Sequence, residues 1–90
     1  MKDNILITGS AGFIGYHLSQ KMCQSNYNVI GIDILNDYYD VSIKKNRLNK
    51  LKKYDNFNFI KLDLLNKKDI QKLFHKNNIR FIFHLAAQAG

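Results

Sequence analysis

One cysteine, no proline, no glutamate and no long apolar run narrow this 90-residue chain before any motif is read. Cys23 stands alone, so an internal disulfide and a cysteine metal cluster are both excluded. A reducing, cytoplasmic setting is expected. No stretch approaches the ~18 consecutive apolar residues of a transmembrane helix, and Met1-Lys2-Asp3-Asn4 followed by three apolar residues is too short for a secretory signal. No membrane partner is therefore expected. Proline and glutamate are missing while lysine, asparagine and isoleucine abound, a bias that genome base composition produces without functional selection. All seven acids are aspartates, against 14 Lys and Arg, for a formal charge of +7. Such a balance favours anionic partners. Nucleotide cofactors, sugar nucleotides and nucleic acids all qualify, and charge alone does not choose among them. The length fits one domain at most. Neither an internal repeat nor an interdomain linker interrupts it.

What the chain does have is glycine in one place. Thr8-Gly9-Ser10-Ala11-Gly12-Phe13-Ile14-Gly15 follows the apolar run Ile5-Leu6-Ile7 and opens a segment of helical spacing. Gly9 permits a tight turn out of a strand, Gly12 lets backbone approach a ligand, and Gly15 lets the next helix pack closely. The helix start then offers unpaired N–H groups and a positive dipole end, which suit a pyrophosphate.

Four strands and three helices are expected in alternation. Residues 3–8, 28–33, 57–62 and 79–85 read as strands, and residues 13–25 and 67–77 as helices. Ile14, Leu18 and Met22 would form the apolar stripe of the first helix, flanked by Phe13 and Cys23. His17 is expected to be solvated. Residues 36–53 are less regular, with Val41, Leu48 and Leu51 on a helical stripe. The basic residues there (Lys44, Lys45, Arg47, Lys50, Lys52 and Lys53) read as a solvated helix face. The aromatics precede this run instead of interleaving with it, so no nucleic-acid partner is expected. Ile70, Leu73 and Phe74 would share one face of the last helix, with Asn66 as its N-cap.

The strand–helix alternation predicts an α/β fold: a Rossmann-type doubly wound parallel sheet, here its N-terminal portion, in strand order 3-2-1-4. Ligands bind such sheets at the carboxyl ends of the strands. Gly9–Gly15, Asp33, Asp63 and Ala86-Ala87 each follow a strand. Asp33 lies 18 residues after Gly15, near the ~20-residue spacing of a ribose-binding acid. Its charge would repel the extra phosphate of NADP and so favour NAD.

Together these motifs resemble the extended short-chain dehydrogenases/reductases, the NAD-dependent epimerase/dehydratase family. Thr8 to Gly15 is similar to that family's T-G-x-x-G-[FY]-[IL]-G signature, and His84-Leu85-Ala86-Ala87 to its H-x-A-A segment. Asp33 to Val41, with Lys44 and Arg47-Leu48, is similar to the corresponding stretch of its UDP-glucuronate 4-epimerase subgroup. Ile34 departs from the asparagine usual there, a role Asn36 could partly cover. The resemblance implies NAD as cofactor. Gly9, Gly12 and Gly15 would give backbone approach, and Phe13 and Ile14 helix-start N–H groups. Asp33 and Asn36 would serve the ribose, Asp63 and Leu64 the adenine. Leu85, Ala86, Ala87 and Gln88 would run along the cofactor.

It also implies transient C4 oxidation and re-reduction of a UDP-hexuronic acid, with a UDP-sugar partner in a full-length enzyme. The family's catalytic Tyr-x-x-x-Lys is not found: Tyr16, Tyr27, Tyr38, Tyr39 and Tyr54 all lack lysine four residues on. These 90 residues are thus expected to be an N-terminal, cofactor-binding part without catalytic residues, inactive alone. Self-association through an uncovered fourth strand is expected. Another epimerase or dehydratase of the same family, a non-catalytic nucleotide-binding or redox-sensing module, and a basic nucleic-acid-binding protein remain as alternatives.

Overall fold

A computed structural model describes residues 3–34 and 41–85. Four parallel strands, β1 (Asn4–Thr8), β2 (Asn28–Asp33), β3 (Phe57–Lys61) and β4 (Ile79–His84), pair in the order β3-β2-β1-β4. Three helices connect them: α1 (Phe13–Gln24), α2 (Val41–Leu51) and α3 (Lys67–Lys76). The doubly wound order expected from the alternation is present.

The central strands are apolar on both faces because both faces are covered. Ile5, Ile7 and Val29 point to a cluster with Cys23 of α1 and Leu48 and Leu51 of α2. Leu6, Ile30 and Ile32 point the other way, to Leu73 of α3. α1 and α2 therefore lie on one face and α3 on the other. The chain changes face between β3 and β4, when it returns past β1 to pair on its far side. In such folds that reversal of strand order marks the ligand crevice.

Local chemistry sets the helix limits. α1 ends at the cap residue Ser25, after which Asn26 takes φ 70°, a left-handed conformation that asparagine tolerates. α3 begins at Asn66, whose side chain accepts the Asp69 N–H at 3.2 Å.

Three packing expectations are corrected. The buried stripe of α1 is Gly15, Ser19 and Cys23, one position beyond the one expected. Leu18 and Met22 pack at the cluster's margin, while Ile14 is 67% exposed. Small residues face the sheet because the helix lies too close for large ones. On α3, Leu73 is buried but Phe74 is exposed. On α2, Lys44 and Arg47 are half-buried, not part of a solvated face; Lys45, Lys50, Lys52 and Lys53 are exposed as expected. His17 is exposed, also as expected, with its ring edge-on to Phe13 and Tyr16.

Candidate cofactor-binding site

The parallel register brings the strand ends to one edge of the sheet. Thr8 pairs with Ile32 on one side and with His84 on the other, and Asp33 pairs with Lys61. Beyond this edge lie the glycine turn, Asp33, Asp63 and Leu85.

The glycine turn is bound firmly to the end of β2. Gly9 has φ 71°, the left-handed region where a side chain costs energy. The Gly9 and Ser10 N–H groups donate to the Ile32 carbonyl at 2.9 and 3.2 Å, and Ala11 N–H donates to Asp33 Oδ2 at 3.1 Å. Ser10 is fully buried and occupies the space over Gly31. A Cβ at residue 31 would come within 2.7 Å of Ser10 Oγ and 2.9 Å of Phe57 Cε1. From α2, Arg47 Nη1 donates to the Ala11 carbonyl at 3.1 Å, with its guanidinium carbon 5.9 Å from the Phe13 ring centroid. Lys44 Nζ pairs with Asp33 Oδ1 at 3.2 Å.

Gly15 explains why α1 can start where it does. A Cβ there would sit 2.1 Å from the Gly9 carbonyl oxygen and 2.8 Å from its carbon. The first helical turn rests on the backbone of the glycine loop. Gly12 is the N-cap, and no side chain caps the helix or adds an acid to its first turn. The start of α1 therefore presents backbone N–H groups and the dipole's positive end without a built-in anion. α3 differs in both respects, with Asn66 as cap and Asp69 in its first turn. Phe13 and Ile14, the first residues of α1, are exposed. A bare helix start behind a glycine turn has the chemistry to hold a pyrophosphate, so the residues present fit a dinucleotide.

Asp63 is exposed beyond β3, and its Oδ1 accepts the Leu65 N–H at 2.9 Å, which shapes the turn into α3. Leu64 turns its side chain into the α3-side cluster, so only its backbone is left for a ligand. Leu85 N–H donates to Thr8 Oγ1 at 2.9 Å and to the Thr8 carbonyl at 3.2 Å. Asn36, Ala86, Ala87 and Gln88 lie outside the described residues.

Sequence reasoning missed four contributors. Lys44 and Arg47 figure in the subgroup resemblance but read as part of a solvated basic face, although their spacing of three places both on one helix face. Gly31 reads only as part of its strand, and the space it leaves is filled by Ser10. Thr8 Oγ1 lies 2.9 Å from His84 Nδ1, a contact between residues 76 positions apart that no local pattern announces. Among the described residues, no group of three or more His, Cys, Asp or Glu side chains could hold a metal ion, and no helix is long and apolar enough to cross a membrane.

The comparisons with known proteins agree with this geometry. The family model described as GDP-mannose 4,6 dehydratase matches residues 6–90. The chain is 49% identical over 86 residues to Protein CapI of Staphylococcus aureus, covering 96% of this chain and 25% of that protein. It is 44% identical over 85 residues to a UDP-glucuronate 4-epimerase of Thermodesulfobacterium geofontis, covering 94% and 26%. Among solved structures, UDP-glucuronic acid 4-epimerase from Bacillus cereus, in complex with UDP-glucuronic acid and NAD, superposes with a TM-score of 0.84 at 40% identity. That match covers 97% of this chain and 27% of the solved one. The chain thus spans about a quarter of the length of the curated relatives it matches.

Proposed function

The chain belongs to the GDP-mannose 4,6 dehydratase family, within the NAD-dependent epimerases and dehydratases, and from that premise we propose that it is the NAD-binding part of a UDP-glucuronate 4-epimerase. The observation that carries the cofactor assignment is the uncapped start of α1 behind the glycine turn, one strand from the Asp33 carboxylate. Relatives support the choice of epimerase. Both a curated 4-epimerase and a solved one with UDP-glucuronic acid and NAD align over nearly all of this chain.

Each residue then has a limited task. Gly9 and Gly12 keep side chains away from the diphosphate, and the N–H groups at Phe13, Ile14 and Gly15 neutralise its charge. Asp33 accepts hydrogen bonds from the adenosine ribose. Asp63 and the Leu64 backbone meet the adenine. Leu85 and the residues after it follow the cofactor toward the nicotinamide, with Asn36, Ala86, Ala87 and Gln88 assigned from sequence alone. When bound, NAD supplies the transient oxidation and re-reduction at C4 of the sugar. No residue in this chain has the Tyr-x-x-x-Lys spacing that would move the proton, so the chain alone binds without turning over.

Calorimetric titration with NAD tests the reading, using the native chain and Asp33→Ala. Native binding that weakens at least tenfold in the variant supports it. Equal affinities would remove Asp33 from the ribose site. For the epimerase assignment, the coding sequence downstream of Gly90 is expected to supply a Tyr-x-x-x-Lys, and the protein carrying it should invert C4 of UDP-glucuronic acid. A stop codon there would leave a non-catalytic nucleotide-binding module.

A further inference from the structure

One side chain grips the residues on both sides of the N-cap of α1. Arg47 Nη1 donates to the Ala11 carbonyl at 3.1 Å, and the guanidinium carbon lies 5.9 Å from the Phe13 ring centroid. Ala11 and Phe13 flank Gly12, the cap residue. The Phe13 ring also meets His17 edge-on, with centroids 4.7 Å apart, so a largely exposed ring is held over the first turn. Gly12 brings no side chain of its own, and no other side chain caps the helix. A helix start in that state frays easily, and glycine adds backbone freedom at the weakest point.

On the NAD reading above, we infer that Arg47 is a positioning residue for the diphosphate: by holding the Ala11 carbonyl and the Phe13 ring, it keeps the first turn of α1 formed with its N–H groups open to the ligand. An ordinary cap could not do both. A Ser, Thr, Asn or Asp at the N-cap accepts the N–H of the second or third helical residue, here Ile14 or Gly15, and so competes with the diphosphate for it. Asn66 does this at the start of α3, where it accepts the Asp69 N–H. Arginine has donors only. It can fix the turn through a carbonyl without using up an N–H, and its charge adds to the positive end of the helix instead of cancelling it. The planar guanidinium also serves the carbonyl and the ring at once, which a lysine ammonium cannot.

The test uses the full chain, Arg47→Met and Arg47→Lys. Calorimetry gives NAD affinity, and NMR gives amide exchange in the unliganded chain. Met keeps an apolar stem and removes the donors; Lys keeps the charge but not the planar fork. Arg47→Met should weaken NAD roughly fivefold or more, the scale of a lost cap. It should speed exchange by a similar factor at the Gly12 and Tyr16 amides, which donate to the Gly9 and Gly12 carbonyls at 3.0 and 2.8 Å. The Val29 amide, bonded to the Asn56 carbonyl at 2.8 Å, should keep its native rate. Arg47→Lys should fall between the native chain and Arg47→Met in both readouts. Faster exchange at Val29 as well would make Arg47 a general stabiliser and overturn the inference. Native NAD affinity in Arg47→Lys would reduce its role to charge, which also overturns it. If Arg47→Met fails to fold, Arg47→Lys decides by the same readouts. A native chain that does not bind NAD overturns the cofactor reading as well. NAD binding that Arg47→Met leaves unchanged overturns this inference alone.

Discussion

Gly15 and Gly31 both give way to a neighbour, but the neighbours differ in kind. A Cβ at residue 15 would collide with the Gly9 carbonyl and the Ser10 Cα, all backbone. A Cβ at residue 31 would collide mainly with the Ser10 side chain and the Phe57 ring. Overpacking of this sort costs about 1–3 kcal/mol, and more where nothing can move. Gly31→Ala should therefore lower the urea midpoint, and adding Ser10→Gly should restore a large part of the loss. The same second substitution should not rescue Gly15→Ala. A Gly31→Ala chain that Ser10→Gly leaves equally weak would remove Ser10 as the occupant of that space. Ser19 is the converse case. Its buried hydroxyl oxygen has no hydrogen-bond partner among the described residues, so Ser19→Ala removes an unsatisfied group at almost no cost in packing. Stability is expected to hold or rise by up to about 1 kcal/mol, and a clear loss by urea titration would reveal a bond that the hydroxyl makes.

Burial also governs Cys23, whose thiol is pushed from 9.0 up to about 11 by desolvation. It is a core residue with a muted nucleophile. The unfolded chain releases this proton near its ordinary value while the folded chain still holds it. The contribution to stability is thus complete below about pH 9 and lost progressively as pH rises toward about 11. Modification of Cys23 by iodoacetamide at pH 8 should be slow in the folded chain and fast in urea. Equal rates in the two would contradict the burial.

At the scale of elements, the two helix starts make a matched comparison. α3 is closed by Asn66 and Asp69, whereas α1 opens on Gly12 with neither cap nor acid. An acid in the first turn of α1 would suit the dipole, by roughly 0.3–1 kcal/mol, and would occupy the field that a diphosphate needs. Ile14→Glu replaces an exposed side chain. It should keep or raise the melting temperature and weaken NAD at least tenfold. Unchanged affinity would mean that the diphosphate does not meet this helix start.

Much of this architecture was legible in the sequence. The first three apolar runs ended at glycine or aspartate and the fourth ran into small residues, and each became a strand within one residue of its expected limits. The glycine spacing located the turn, and Asp33 fell at the expected strand end. Two features were hidden. Hydropathy rewards large apolar residues, so Ile14, Leu18 and Met22 outweighed the small Ser19 and Cys23 that continue the sheet-facing line from Gly15. Charge reads as solvated by default, so Lys44 and Arg47, although part of the stretch that resembles the epimerase subgroup, are expected on a solvated face and given no role. Their inward placement depends on Asp33 and the Ala11 carbonyl, partners that only the folded chain supplies.

For the whole molecule, the decisive asymmetry is at the two edges of the sheet. β3 and β4 are both edge strands, but β3 keeps Phe57 buried and Phe59 and Ile60 half-buried. Along β4, Phe81, Ile82 and Phe83 are all exposed. They alternate about the strand, so apolar surface is open on both faces as well as along the edge. β1 takes one side of the β4 backbone, which leaves the other side's N–H and C=O groups facing outward. A flat apolar edge of this kind is a template for another strand, and the occupant it suits in a solution of this chain alone is a second copy, β4 against β4. Sedimentation velocity at tens of micromolar should then show dimers or larger species. Phe81→Lys with Phe83→Lys should shift them to monomer, because two charges on one strand face oppose both edge pairing and face burial. Neither residue is among those assigned to the cofactor, so the variant should keep native NAD affinity. A native chain that sediments as a monomer at these concentrations would sink the expectation. Association that survives both lysines would move the contact elsewhere, with exposed Phe74 and Leu65 as the next apolar positions to substitute.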